Sequence, residues 1–170
     1  IAAEHPSRRF QYVVFNRALA DEAAATFPSN TRCNTAHSVA FRAVGKRYAH
    51  RLKSGRMRSD QIARTLGVTA QDFIVAGQRR TLAAGFLGSL VMRSLERFCQ
   101  SADPEPTERH VPYVDGIDMP TMIGTEVRRT YDNNNDLSRL LLPALHRAWN
   151  DWQQLNGQLP WKHSAYLKIF

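Results

Sequence analysis

Apolar residues recur at three- and four-residue spacing along most of this chain, and nowhere do they alternate as in a half-buried strand. One helix is predicted over about Phe10 to Thr26, stopped by Phe27-Pro28-Ser29-Asn30. A second runs from Ala36 to Lys53 and ends at Ser54-Gly55. Two short helices follow, Asp60 to Leu66 and Ala70 to Ala76, with Gly67-Val68-Thr69 between them. A longer helix over Arg80 to Gln100 is apolar on nearly all sides from Leu82 to Met92, as a buried central helix is. Gly85 and Gly88 within it allow a neighbouring helix to approach closely, at a cost in helicity.

Beyond it lies an acid-rich connector, Ser101 to Met119, carrying Pro104, Pro106 and Pro112. Pro120 suits the first position of a helix reaching Tyr131, and Asp132-Asn133-Asn134-Asn135 breaks the chain. Asp136 can cap a last helix to about Leu155, in which Pro143 forces a kink or a later start. The tail from Leu159 to Phe170 is too apolar to hang free and is expected to dock on its own body or on a neighbour. Together these elements predict an all-α fold: an irregular bundle of about six helices with a long central loop and an extended aromatic C-terminal arm. One domain is expected over residues 1–170, divided into a basic part (1–100), the connector (101–119) and the C-terminal helices and arm (120–170).

Charge changes this picture. Residues 1–100 hold sixteen Lys/Arg against six Asp/Glu, whereas residues 101–170 hold seven against nine, so the formal net charge of +8 belongs to the first part. Arginine outnumbers lysine nineteen to four, which suits planar, bidentate contact with phosphate and equally reflects a GC-rich genome. From Ala23 to Ser59 no acid occurs, against eight basic residues: Arg32, Arg42, Lys46, Arg47, Arg51, Lys53, Arg56 and Arg58. On a helical wheel over Ala36 to Lys53, Arg42, Lys46, Arg47, His50, Arg51 and Lys53 fill one arc. Phe41, Val44, Gly45, Tyr48 and Leu52 fill the other. Such a face without counter-charges binds a polyanion by releasing its condensed counterions.

Residues Ser59 to Gln78 resemble the helix-turn-helix unit that reads DNA. Ala63, Gly67, Val68 and Phe73 stand where its close packing and left-handed turn require them, with Ile62, Leu66 and Ala76 as neighbours. The second helix would expose Asp72, Ile74 and Val75, which suit packing better than base reading. Arg79 and Arg80, directly after it, are placed to touch phosphate. In the last helix, Trp149 and Trp152 keep the company of leucines and read as core.

Catalytic signatures are sparse. Cys33 and His37 stand four apart, close enough to meet on a helix, yet no second pair completes a metal site. Asp115-Gly116-Ile117-Asp118 reads as a turn, lacking the further oxygens a Ca²⁺ loop needs. There is no Gly-rich phosphate loop, nucleophile elbow or dinucleotide fingerprint. No catalytic residue, metal or cofactor is therefore expected. Two cysteines form no disulfide framework, consistent with an intracellular, reducing compartment, an organellar (mitochondrial) one included. Ile1 in place of Met suggests a processed start, compatible with removal of a targeting segment. The longest apolar run, Leu82 to Met92, is too short for a membrane span.

The reading that follows is a non-catalytic, structural nucleic-acid-binding subunit of a ribonucleoprotein or nucleoprotein assembly, with RNA preferred over DNA. Its phosphate contacts would be Arg42, Lys46, Arg47, His50, Arg51, Lys53, Arg56, Arg58, Arg79 and Arg80. Trp161, Tyr166 and Phe170 would meet neighbouring protein subunits. Two alternatives stand beside it: a helix-turn-helix DNA-binding regulator, and an accessory subunit of a large organellar complex that binds acidic protein.

Overall fold

A computed structural model describes residues 1–53, 55–123, 126–129 and 132–170. Its first regular element is a strand. β1 (Phe10–Val14) runs parallel to β2 (Thr31–Thr35), Phe10 opposite Thr31 and Val14 opposite Thr35, and α1 (Arg17–Thr26) makes the crossover between them. The run Tyr12-Val13-Val14 joins an aromatic ring to two β-branched residues, which favour the extended backbone. Helix begins only after Asn16, whose side chain accepts from the Leu19 N–H at 2.8 Å. The helix predicted from Phe10 is thus strand in its first third.

The predicted basic helix is also divided. α2 (Ala36–Ala43) starts on Thr35, whose hydroxyl accepts from the Ser38 N–H, and ends at Val44 with φ −122°. Two short 3₁₀ turns, Gly45–Tyr48 and Arg51–Lys53, carry the chain onward. The break is imposed from afar. A Cβ on Gly45 would lie 2.5 Å from the Phe41 ring and 3.1 Å from the ring of Tyr166 in α6 (His163–Ile169), so the bare glycine admits that ring.

α3 (Ser59–Leu66) ends at Gly67, left-handed at φ +62°, and Arg147 covers the helix end by donating to the Leu66 carbonyl at 2.7 Å. No second helix follows. β3 (Gln71–Val75) and β4 (Gln78–Leu82) form an antiparallel hairpin, Phe73 opposite Arg80. Ala76 and Gly77 fill its two-residue turn, both with positive φ (53° and 74°), as a hairpin of this twist requires. This corrects the helix-turn-helix reading, because the element meant to enter a groove is extended.

α4 (Ala84–Cys99) packs on α3, and the close approach occurs at Gly88. A Cβ there would sit 2.8 Å from the Ala63 backbone nitrogen, whereas at Gly85 it would meet the Ser59 hydroxyl at 3.1 Å. Gly88→Ala is therefore expected to force the two helices apart at a cost of about 1–3 kcal/mol, and Gly85→Ala to cost less. Paired urea melts check the order.

In place of the helix predicted from Pro120, β5 (Pro120–Ile123) pairs antiparallel with β6 (Glu126–Arg129). Gly124, Thr125, Thr130 and Tyr131 of that stretch, and Ser54 of the predicted stop at Ser54-Gly55, lie outside the described residues. α5 (Asp132–Gln153) begins before Asp136 and runs through Pro143. Asp118 accepts from the Asn134 N–H at 3.0 Å, and the Asn134 carboxamide pairs with both backbone groups of Val114, so the 115–118 turn is fastened to the start of α5. Helix predominates, but strands in three two-stranded ladders interrupt it, and the all-α expectation is corrected accordingly.

The core is made by α3, α4, α5 and α6. Leu66, Leu87, Leu90, Leu95, Phe98, Leu137, Leu141, Leu145 and Trp152 are almost fully excluded from solvent, and no residue before Ala40 belongs to this cluster. In the stretch 1–39 only Ala20 and Ala23 are buried, so the β1–α1–β2 unit stands outside the core cluster, with α1 packed on the ladder and no strand residue fully buried. Among the described residues no helix is long and apolar enough to cross a membrane.

Candidate nucleic-acid interface

Breaking the basic helix scatters its charges. Arg51 turns inward and is only 4% exposed. Its guanidinium meets the Asp151 carboxylate at 2.8 Å and donates to the carbonyls of Asp151, Gln154 and Leu159 at 2.8–2.9 Å, closing the C-terminal end of α5. His50 Nε2 lies 2.8 Å from the Leu155 carbonyl, and the Tyr48 hydroxyl donates to that of Gln153. Arg51 is thus spent within the fold, as a bridge between residues about a hundred positions apart. Lys46, Arg47, Lys53 and Arg56 remain on the surface, and Arg58 pairs with Asp60 at the start of α3. In the hairpin, Arg79 is held by Asp72, and its hydrogen bond keeps that carboxyl below the usual carboxylate range, while Arg80 stays exposed. The one continuous ridge expected from the sequence is not formed.

Other residues come together instead, at the carboxyl ends of β1 and β2. Because Val14 and Thr35 are paired, Phe15 and Ala36 leave the ladder side by side. Phe15 is 89% exposed, which is exceptional for a phenylalanine next to a strand end. A groove of about 330 Å³ lies at this end of the ladder, lined by Arg17, Asp21, Asn34, Thr35, Ser38, Phe41 and Arg42 among others, and Arg17 pairs with Asp21 at 2.9 Å. Arg42 donates to Asn34 Oδ1, which orients the carboxamide and leaves its buried Nδ2 as an unspent donor. His37 stands exposed on the first turn of α2, its ring 6.2 Å from that of Tyr166. Of these residues only Arg42 was predicted as a contact. The missed signal is the strand run Tyr12-Val13-Val14 followed by Phe15 and the capping Asn16. Once that run is read as a strand, the polar residues after β2 fall at its neighbour's end.

The aromatic arm docks on its own body. Trp161 stacks on Tyr48 with ring centroids 4.8 Å apart, and its indole N–H donates to the Trp152 carbonyl. Tyr166 lies between Phe41, Trp161 and His163. Both are buried, which corrects their assignment to a partner subunit; Phe170 is exposed. Cys33 sits in β2 and His37 in α2, so they share no helix, and among the described residues no cluster of three metal-ligating side chains occurs.

Two buried groups that resemble reactive ones are inert. Burial pushes the Cys99 thiol up to about 12. His110 accepts the Thr107 N–H on Nδ1 at 2.9 Å, so its Nε2 carries the proton and donates to Asp103 at 2.8 Å. Burial lowers its pKa. With the proton on Nε2 the ring has no base to offer the Ser101 hydroxyl 3.2 Å away.

An open parallel ladder with polar and cationic groups gathered at its carboxyl ends is the ligand-binding arrangement of α/β proteins. Comparison with known proteins narrows this. The chain is 36% identical over 174 residues to F-box DNA helicase 1 of Gallus gallus, a match taking in 95% of this chain and 15% of that protein. It is 29% identical over 114 residues to F-box DNA helicase protein 1 of Schizosaccharomyces pombe, covering 65% of this chain and 13% of that protein. The chain therefore spans only about a seventh of the length of these relatives. No family model matches, and no solved structure does. The relatives are named as enzymes, which overturns the expectation of a non-catalytic structural protein.

Proposed function

We propose that this chain serves as a strand-binding part of a DNA helicase, holding single-stranded DNA across the carboxyl ends of β1 and β2. The observation that carries the reading is the exposed Phe15, which directly follows the paired Val14–Thr35 end of the ladder, where Arg17, Asn34, Thr35, Ser38 and Arg42 line a groove. An exposed ring offers a base a stacking surface without sequence preference. Arg42 supplies charge for the backbone, Arg17 being paired with Asp21, and the unspent Asn34 donor together with the start of α2 supplies hydrogen bonds. The names of the relatives favour DNA over the RNA expected from the sequence. We assign these residues to strand binding. The lack of any fully buried residue in the β1–β2 ladder fits a unit that meets further polypeptide in a larger protein.

Replacement of Phe15 by alanine is expected to cost about 1–3 kcal/mol of single-strand affinity, roughly a 5- to 150-fold rise in Kd, with no loss of fold. Fluorescence anisotropy on a labelled oligothymidine at fixed salt reads this directly. Equal affinity of both proteins, or no binding by the native chain, rejects the reading.

A further inference from the structure

The opposite end of the same ladder carries a second groove. It encloses about 740 Å³ and is lined by Pro6, Ser7, Arg8, Arg9, Phe10, Gln11, Ser29, Asn30, Thr31 and Arg32. Three of these side chains are cationic, none is acidic, and Arg8, Arg9 and Arg32 make no ion pair with another described residue. Like charges at one site repel unless an anion joins them.

The wall of the groove is held in place. The Asn30 carboxamide donates to the carbonyls of Ala2, His5 and Arg8 at 2.9–3.1 Å, and the Phe10 N–H donates to the Asn30 carbonyl. The segment bearing Arg8 and Arg9 is thereby tied to the strand bearing Arg32. Beside them the Thr31 hydroxyl and Asn30 Oδ1 are buried with no partner among the described residues. The hydroxyl is a donor ready for an anionic oxygen, and such a group is costly to leave unmet.

We infer that this groove is a phosphate-binding site, separate from the strand groove, in which Arg8, Arg9 and Arg32 clamp the oxygens of two or more linked phosphates and Thr31 donates a further hydrogen bond. Linked phosphates fit because the three guanidiniums come from two segments along a groove of about 740 Å³, room for more than one phosphate group. The shared chemistry has two sources, a free polyphosphate or the backbone of a nucleic acid.

Calorimetric titration of the 170-residue chain with sodium tripolyphosphate tests the site without DNA. The native chain is expected to bind, and the triple replacement R8A/R9A/R32A to raise Kd at least about tenfold. All three side chains are on the surface, so a circular dichroism melt should match that of the native chain. Removing Thr31's hydroxyl with T31V gives a smaller loss in the same direction, and R93A, on the exposed side of α4, gives none. Competition by an oligothymidine that is lost in the triple variant identifies a nucleic-acid backbone as the source. Binding of tripolyphosphate that the oligothymidine leaves unchanged identifies a free phosphate. Absence of tripolyphosphate binding, or equal binding by the triple variant, overturns the site. Neither result bears on Phe15, whose readout is single-strand affinity alone.

Discussion

Replacing Arg51 with methionine is expected to lower the folding free energy by about 3–5 kcal/mol, the cost of removing one partner from a buried ion pair. The substitution keeps the aliphatic bulk but takes the counter-charge from the Asp151 carboxylate, which retains only the N–H groups of Gln158 and Leu159, and removes the guanidinium donor from the carbonyls of Gln154 and Leu159. Those carbonyls close the end of α5, and Gly157 lies so near that any Cβ on it would meet the guanidinium at 2.6 Å. A fall in Tm of roughly 10 °C follows for a chain of this size. Lys53→Met and Arg47→Met, on exposed side chains a few positions away, should each stay within about 0.5 kcal/mol. Thermal and urea melts of the three variants decide the matter. Equal, small effects would mean that Arg51 faces solvent in solution.

The second large effect is expected at Trp152. Its ring is 0% exposed among leucines of α5, its indole N–H donates to the Pro160 carbonyl at 3.0 Å, and its own carbonyl accepts from Trp161. Trp152→Ala opens a cavity and should cost about 3–5 kcal/mol. Trp152→Phe keeps most of the volume but leaves the Pro160 carbonyl unmet, for about 1–3 kcal/mol. The same melts, with near-ultraviolet circular dichroism to follow the packing of Trp161, separate the two contributions.

The contrast between these residues explains what could be read from the chain. α4 and α5 announce themselves because their apolar stripes are local, continuous and longer than three turns. Gly67 does so as well, since a left-handed stop needs only its own backbone. The β1–β2 ladder could not be seen from periodicity, because each strand is five residues long and finds its partner about twenty positions away. The break after Ala43 depends on Tyr166, more than a hundred residues on, which occupies the space beside Gly45. With that break went the wheel on which the basic ridge was drawn. The hairpin was legible in Phe73-Ile74-Val75 and Ala76-Gly77 but lost to the helical pattern of its neighbours. Phe15 escaped notice for the same reason as β1: an exposed ring has meaning only once the strand beneath it is known.

The β1–β2 ladder also governs how the chain behaves by itself. A short parallel pair supported by two alanines has little to resist opening, so its amides should trade hydrogen for deuterium well before those of α4 and α5. Its outer edges keep unpaired backbone groups beside Tyr12 and Val13, an invitation to self-association at high concentration. Dilute samples, or company that occupies those edges, will keep it monomeric.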